Sequence, residues 1–320
     1  MSGGVRLSGG VPADLARSEP RKVHPGPFEL AEGPFWHPGR DRLFFHSILD
    51  GRLIACDLAG TPAREWHLGE RASASAIVDR DTLLMATESG LHLFDLEADG
   101  GAGRKALIEP VEADNRLTRS NDGRAAPDGT FWFSTMGHEG EDGAGAIYRY
   151  APGRKPPVSS IARRITIPNA IAFSPQNDWA FRTDSVTSVI MRMPLDPQTG
   201  DPAGEAEPHI DLRERGWSPD GAVVDEDGAL WCAIWGAGLV ARFDPDGALM
   251  GAVAVPASQP TCPAFGGPDM RTLFVTTATQ DLPADADDPH AGAVFAIETD
   301  VRGRPEPRVA TIPGAPERCA

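Results

Sequence analysis

The chain has 320 residues, 41% hydrophobic and 24% charged, enough to bury a large core in one or two domains. Its formal net charge of −16 argues against nucleic acid or an anionic membrane surface as partner, since both select a basic footprint. No stretch approaches the ~20 apolar residues of a membrane span, and the opening MSGGVRLSGGVPADLARSEPRK lacks the apolar run of a signal peptide, so a cytoplasmic location is expected.

Residues 1–24 read as a flexible lead-in, part of which could add an edge strand, and residues 25–320 as a single domain. Cys56, Cys232, Cys262 and Cys319 form no Cys-x-x-Cys pair, so they read as buried free thiols in a reducing compartment rather than as a zinc or redox site. Thirty-five glycines and thirty prolines leave little room for long helices, and short β-rich runs bounded by Gly, Pro and Asp dominate.

These runs repeat. RLFFHS from Arg42, TLLMAT from Thr82, TFWFST from Thr130, DWAFRT from Asp178, ALWCAI from Ala229 and TLFVTT from Thr272 start 40 to 51 residues apart. Each is followed by a second apolar run: GRLIACDL from Gly51, GLHLFDL from Gly90, GAIYRY from Gly145, SVIMRMPLD from Ser188, GLVARFD from Gly238 and GAVFAIE from Gly292. Six pairs at this period predict an all-β fold, a six-bladed β-propeller, in which each blade covers a face its neighbour cannot bury alone. A solenoid of similar period is the alternative. Trp36, Trp132, Trp231 and Trp235 recur with the strands and read as blade packing.

A shorter element precedes each pair. In a propeller it is the innermost strand, so its entrance faces the central channel. The six elements present Glu32, Ser75, Asn121, Asn169, Asp220 and Thr261, or near neighbours, around one axis. Glu32, Asp220 and Asn169 offer three hard oxygen ligands suited to a divalent cation. Taken singly, Asp220-Gly221 and Asn121-Asp122-Gly123 read as turns; Asp128-Gly129, Asp227-Gly228 and Asp246-Gly247 are better turn candidates. Arg119 could hydrogen-bond several hydroxyls or a carboxylate through its planar fork. His138 and Glu139 follow a strand and fall in a loop, His138 reading as a loop residue rather than a ligand. The sequence holds no histidine pair at zinc spacing and no Gly-x-Ser-x-Gly elbow.

The motifs LAEGPFWHPGRDRLFFHSILDGRL, RSNDGRAAPDGTFWFSTM, IPNAIAFSPQNDWAFRTDS, SPDGAVVDEDGALWCAIWGAG and PTCPAFGGPDMRTLFVTTA occur in order across about residues 29–300. Together they resemble the regucalcin/gluconolactonase family of sugar-lactone hydrolases. The resemblance implies a propeller with one catalytic divalent metal in its central channel, the ion being Ca²⁺, Zn²⁺, Mg²⁺, Mn²⁺ or Fe²⁺. It implies metal ligands at Glu32, Asn169 and Asp220, substrate contacts at Arg119 and Asn121, and a further contact at Glu139, where the family's loop varies. Two departures stand out. Ala170 follows Asn169 where the family has glycine, and Phe181 stands where a tyrosine commonly precedes the Asp184-Ser185 dipeptide. The loop from Asp281 to His290 matches no family pattern.

The expected reaction is metal-dependent hydrolysis of an aldonolactone to the aldonic acid, with Asp220 as both ligand and base. The partner is a small sugar lactone, with neither nucleic acid nor membrane involved. Two alternatives stay open: a calcium-dependent arylesterase or organophosphate hydrolase on the same fold, and a non-enzymatic metal-binding propeller. Which lactone, which metal and what oligomeric state are not readable from the sequence.

Overall fold

The computed structural model describes residues 11–59, 64–310 and 312. Apolar runs separated by tight turns fold locally as antiparallel hairpins, because only a neighbouring strand satisfies the backbone donors and acceptors they bury. The described residues build six four-stranded sheets. The first blade is Ala31–His37, Arg42–Ser47, Arg52–Cys56 and Arg64–His67. The second is Ala72–Ile77, Thr82–Thr87, Gly90–Asp95 and Arg104–Pro110. The third is Thr118–Ala125, Phe131–Gly137, Gly145–Tyr150 and Val158–Ile165. The fourth is Pro168–Phe173, Trp179–Asp184, Val189–Pro194 and Glu207–Asp211. The fifth is Ser218–Val224, Leu230–Trp235, Leu239–Phe243 and Leu249–Ala254. The sixth takes Pro260–Gly266, Thr272–Thr277 and Val294–Glu298 from the end of the chain, and Arg21–His24 as its outer strand.

The first strand of each blade touches those of the blades on either side, and the sixth touches the first. The ring is therefore closed: a six-bladed β-propeller. Arg21–His24 lies within the segment read as a lead-in and pairs antiparallel with Val294–Glu298, joining the two ends of the chain in one sheet.

The inner strands Ala72–Ile77, Pro168–Phe173 and Pro260–Gly266 are buried along their whole length, so they show no alternation of buried and exposed residues. Aromatic rings fill the seams between blades. Trp36 stacks on Phe274 at 5.6 Å, Trp132 meets Phe173 edge-on at 5.3 Å and Trp231 meets Phe265 edge-on at 5.5 Å. Each such pair adds about 0.5–1.5 kcal/mol beyond the area it buries. Trp235 differs from its three repeat-mates: it packs beside Leu30, Ile48 and Ala278 at the channel entrance, where it faces a cavity. Gly129, Gly228 and Gly247 take φ of +82°, +85° and +88°, as the Asp-Gly turns require. Cys56, Cys232 and Cys262 are buried and free, and Cys319 lies outside the described residues. Among the described residues no helix is long and apolar enough to cross a membrane.

Beyond the sixth blade the chain crosses the far end of the channel. The Val309 N–H donates to Ile77 O at 2.9 Å and the Ala310 N–H to Gly129 O at 2.8 Å. Between them and the blade, Glu306 forms an ion pair with Arg124, which stands at the far end of its inner strand.

Candidate functional site

Every inner strand breaks register with its partner near the channel entrance. The shifts fall between Glu32 and Phe35, Ala72 and Ala74, Ser120 and Gly123, Asn169 and Ala172, Pro219 and Ala222, and Pro260 and Pro263. A β-bulge leaves a residue unpaired and turns its side chain out of the sheet's alternation. Glu32 and Asn169 are the last paired residues before their bulges, whereas Asn121 and Asp220 sit within theirs. In this way two kinds of position aim at one axis.

The entrance holds a cavity of ≈ 190 Å³. Its wall includes Glu32, Arg119, Asn121, Asn169, Ser185 and Asp220, with Leu30, Met136, Ile167 and Trp235 as apolar surface. Five of the six residues singled out in the sequence for metal, substrate or proton transfer thus meet around one space. Glu139 does not. It is exposed in the loop after Phe131–Gly137, its N–H donating to Glu141 Oε2 at 3.1 Å. His138 lies beside it, outside the cavity wall, and accepts from Arg71 Nη1 at 2.5 Å. Ser75 and Thr261 also turn away from the cavity. Ser75 Oγ pairs with His46 Nε2 at 2.9 Å, and Thr261 Oγ1 donates to Ala31 O at 2.6 Å.

A hydrogen-bond relay fixes the polar wall across three blades. Arg119 Nη1 donates to Asn121 Oδ1 at 2.9 Å, and Asn121 Nδ2 donates to Asn169 Oδ1 at 2.8 Å. Asn169 Nδ2 donates to Ser185 Oγ at 3.0 Å, and the Ser185 hydroxyl donates to Pro219 O at 2.7 Å, next to Asp220. The relay fixes which way each amide points, because every link has a donor on one side and an acceptor on the other.

Ser185 and Asp122 are the residues the repeat pattern missed. Ser185 opens the short 3₁₀ turn Ser185–Thr187 after the second strand of the fourth blade, off the inner ring altogether. Asp122 hides in an Asn-Asp-Gly triplet that reads as a turn. Its buried carboxylate accepts the Gly123 N–H at 2.7 Å and, across the blade boundary, the Ile171 N–H at 2.8 Å. It thereby pins the bulge that carries Asn169. Its place beside Asn121 in the same repeat position was the available signal. Phe181, the departure from the family pattern, packs in the apolar body of the fourth and fifth blades and does not reach the cavity wall.

The electrostatics are lopsided. Glu32 and Asp220 are 6% and 7% exposed. Burial pushes the Glu32 carboxyl well above the usual carboxylate range, and the nearby Asp220 and Asp122 push it further. Burial, followed by Asp122, raises Asp220 in the same way. Arg119 is the guanidinium on the cavity wall; burial, with Arg71 nearby, lowers its pKa to about 10. Its Nε is buried without a hydrogen-bond partner. His46, paired with Glu32 in register, is pushed by burial down to about 3 and supplies no counter-charge.

Two buried carboxylates so poorly matched by positive charge need a cation or protons. Among the described residues no three His, Cys, Asp or Glu side chains converge as a metal cage. A cation here would rest on Glu32, Asp220 and the amide oxygen of Asn169, an all-oxygen set suited to a hard divalent ion. The donor chemistry and the unbalanced charge both fit such an ion.

Comparison with known proteins gives the same frame. The chain is 33% identical to 6-deoxy-6-sulfogluconolactonase of Pseudomonas putida, over 88% of this chain and 95% of that one. It is 34% identical to L-arabinolactonase of Azospirillum brasilense, over 89% and 93% of the two chains. Among solved structures, a calcium-binding protein, regucalcin, from Agrobacterium tumefaciens str. C58 superposes with a TM-score of 0.88 at 37% identity, covering 93% of this chain and all of that one. The family described as SMP-30/Gluconolactonase/LRE-like region matches residues 30–279, from the first inner strand to the end of the sixth entrance, and the chain belongs to that family.

Proposed function

We propose that the chain hydrolyses a sugar lactone to its open-chain acid. Water adds to the lactone carbonyl carbon, the bond from that carbon to the ring oxygen breaks, and the ring oxygen leaves as a hydroxyl. The observation that carries this reading is the pairing, in one cavity, of two buried carboxylates with an Arg–Asn relay whose guanidinium Nε is unpartnered. Such a wall accepts a small polyol on one side and activates water on the other.

Glu32, Asp220 and Asn169 would hold a divalent cation. When bound, such an ion supplies Lewis-acid polarisation of the ester carbonyl. Asp220 takes the proton of the attacking water and delivers it to the departing ring oxygen. Burial suits it to that work, since it raises the carboxylate's affinity for a proton. Arg119 and Asn121 orient substrate hydroxyls, and Asp122 keeps the Asn169 bulge in place. Leu30, Met136, Ile167 and Trp235 present apolar surface to the carbon face of the sugar ring and exclude bulk water. Glu139, exposed and outside the cavity wall, has no part in this reading. The names of the relatives support the class of substrate and leave its charge open, one being named for a lactone with a sulfo group and the other for L-arabinolactone.

The test is initial-rate hydrolysis of a panel of pentono- and hexonolactones by wild type, by chelator-treated protein and by Asp220→Asn with its fold checked by circular dichroism. Asp220→Asn is expected to lose about 10²–10⁴-fold in kcat, and chelation to abolish turnover until a divalent cation is returned. Near-wild-type turnover by Asp220→Asn removes both of its proposed roles.

A further inference from the structure

The loop between Thr272–Thr277 and Val294–Glu298 lies outside the six-fold repeat, yet it sends two polar residues, Gln280 and Asp281, to the cavity wall. Its start is firmly held. The Ala278 N–H donates to Gln259 O at 3.0 Å, and the Thr279 and Gln280 N–H groups donate to Glu29 O at 3.1 and 2.9 Å. Gln259 Nε2 donates to Gln280 O at 2.7 Å, and the Leu282 N–H to Thr279 O at 3.2 Å. These bonds bracket Asp281 and tie it to the segment leading into the strand that carries Glu32. Asp281 has φ of +60°, a left-handed conformation that non-glycine residues adopt when the surroundings impose it.

The cavity is therefore read at two depths. Arg119, 3% exposed, lies inside with Nη1 engaged by Ser120 O and Asn121 Oδ1 and its Nε unpartnered. Asp281 is exposed at the rim. Among the described residues, the ionisable groups on the wall are three carboxylates, Glu32, Asp220 and Asp281, and one guanidinium, Arg119. A substituent that projects from a bound sugar toward the mouth meets an acceptor carboxylate and the Gln280 amide. A hydroxyl there can donate to Asp281, whereas an oxyanion is repelled by it.

We infer that Asp281, with Gln280, is a specificity-determining element of this cavity: it accepts hydrogen bonds from the outer hydroxyls of a neutral polyhydroxy lactone and rejects lactones with an anionic group at that end. This inference rests on the lactone-hydrolase reading and narrows it to a substrate class. One like charge at a solvent-exposed rim changes the preference about two- to fivefold, and salt screens the effect.

The experiment measures kcat/KM for a neutral aldonolactone and for an aldaric acid lactone, whose second carboxylate is free. Divalent-cation-loaded wild type, Asp281→Asn and Asp281→Lys are compared at low and high salt. The expected result is a wild-type preference for the neutral lactone that shrinks with salt, falls about two- to fivefold in Asp281→Asn and falls further in Asp281→Lys. Hydrolysis with the same neutral-to-anionic ratio in all three proteins, or a wild-type preference for the anionic lactone, overturns the inference and leaves the hydrolase reading standing. A wild type inert towards every lactone overturns both.

Discussion

The two ends of the central channel bury charge in opposite ways. At the far end, Arg124 is paired with Glu306 from the segment that crosses the channel, each side chain only 10% exposed. Burial works against the Arg124 charge, but Glu306 and other nearby acids outweigh it, and its pKa is raised. At the entrance, Glu32 and Asp220 have no such partner among the described residues, and burial drives both towards the protonated form. The far end is electrically complete from the chain's own residues. The entrance is not, and a fold that leaves buried charge unmatched at one place while matching it at another marks the first as a place for something the chain does not carry.

The largest expected effect breaks the complete end. Glu306→Ala leaves the Arg124 guanidinium buried without its carboxylate, which costs about 3–5 kcal/mol. Urea unfolding followed by tryptophan fluorescence measures it. The double variant Arg124→Met/Glu306→Leu is expected to recover most of the loss, because an apolar pair carries no desolvation penalty. A single variant as stable as wild type would mean that Glu306 does not neutralise Arg124, and the contrast between the ends would lose one side.

The next effect sharpens the incomplete end. In chelator, folded Glu32 and Asp220 hold protons that ordinary carboxylates have lost above pH ~4. The folded state then binds more protons than the unfolded state, so its stability falls as pH rises from that range through the raised pKa values. A saturating cation takes the protons' place and removes that loss. The gap between cation-loaded and chelated protein should therefore widen from acid to neutral pH, reaching about 2.7 kcal/mol when the cation stands at a hundred times its Kd. Thermal unfolding at several pH values with calcium or manganese reads this directly. A gap independent of pH would mean that neither carboxylate contributes to cation binding.

Much of the entrance was legible in the sequence because it is periodic. Glu32, Asn121, Asn169 and Asp220 occupy like places in repeats that only a closed wheel brings together. What the repeat could not reveal lies off its period or in its exceptions. Ser185 is presented by a turn outside the inner ring. Asp122 follows Asn121 in a bulge, and a bulge changes strand pairing without changing the spacing of apolar runs. Glu306 meets Arg124 across 182 residues of sequence with no local signal at either. Asp281 stands in the long connection between Thr272–Thr277 and Val294–Glu298, which the period of the repeat does not predict. Glu139 shows the converse: it was placed by a motif in a loop that varies, and in this chain that loop carries it outward.

The smallest expected effect concerns the backbone beneath Asn169. Ala170 has φ of +55°, the value also taken by Gly33 in the matching bulge of the first blade. At Gly33 a side chain is excluded outright, since a Cβ would lie 2.3 Å from Ser73 O. At Ala170 the methyl group is accommodated and fully buried. Left-handed geometry costs an alanine about 1–2 kcal/mol. Ala170→Gly relieves that strain, but it forfeits the buried methyl, about 0.8 kcal/mol, and gains unfolded-state entropy worth about 0.4–1 kcal/mol. The three contributions nearly cancel, so the melting temperature is expected to move by no more than about 1 °C, near the shift for half a kcal/mol in a chain of this size. A clear rise would mean that the alanine holds the Asn169 bulge under uncompensated strain, and the entrance would then be incomplete in its backbone as well as in its charge.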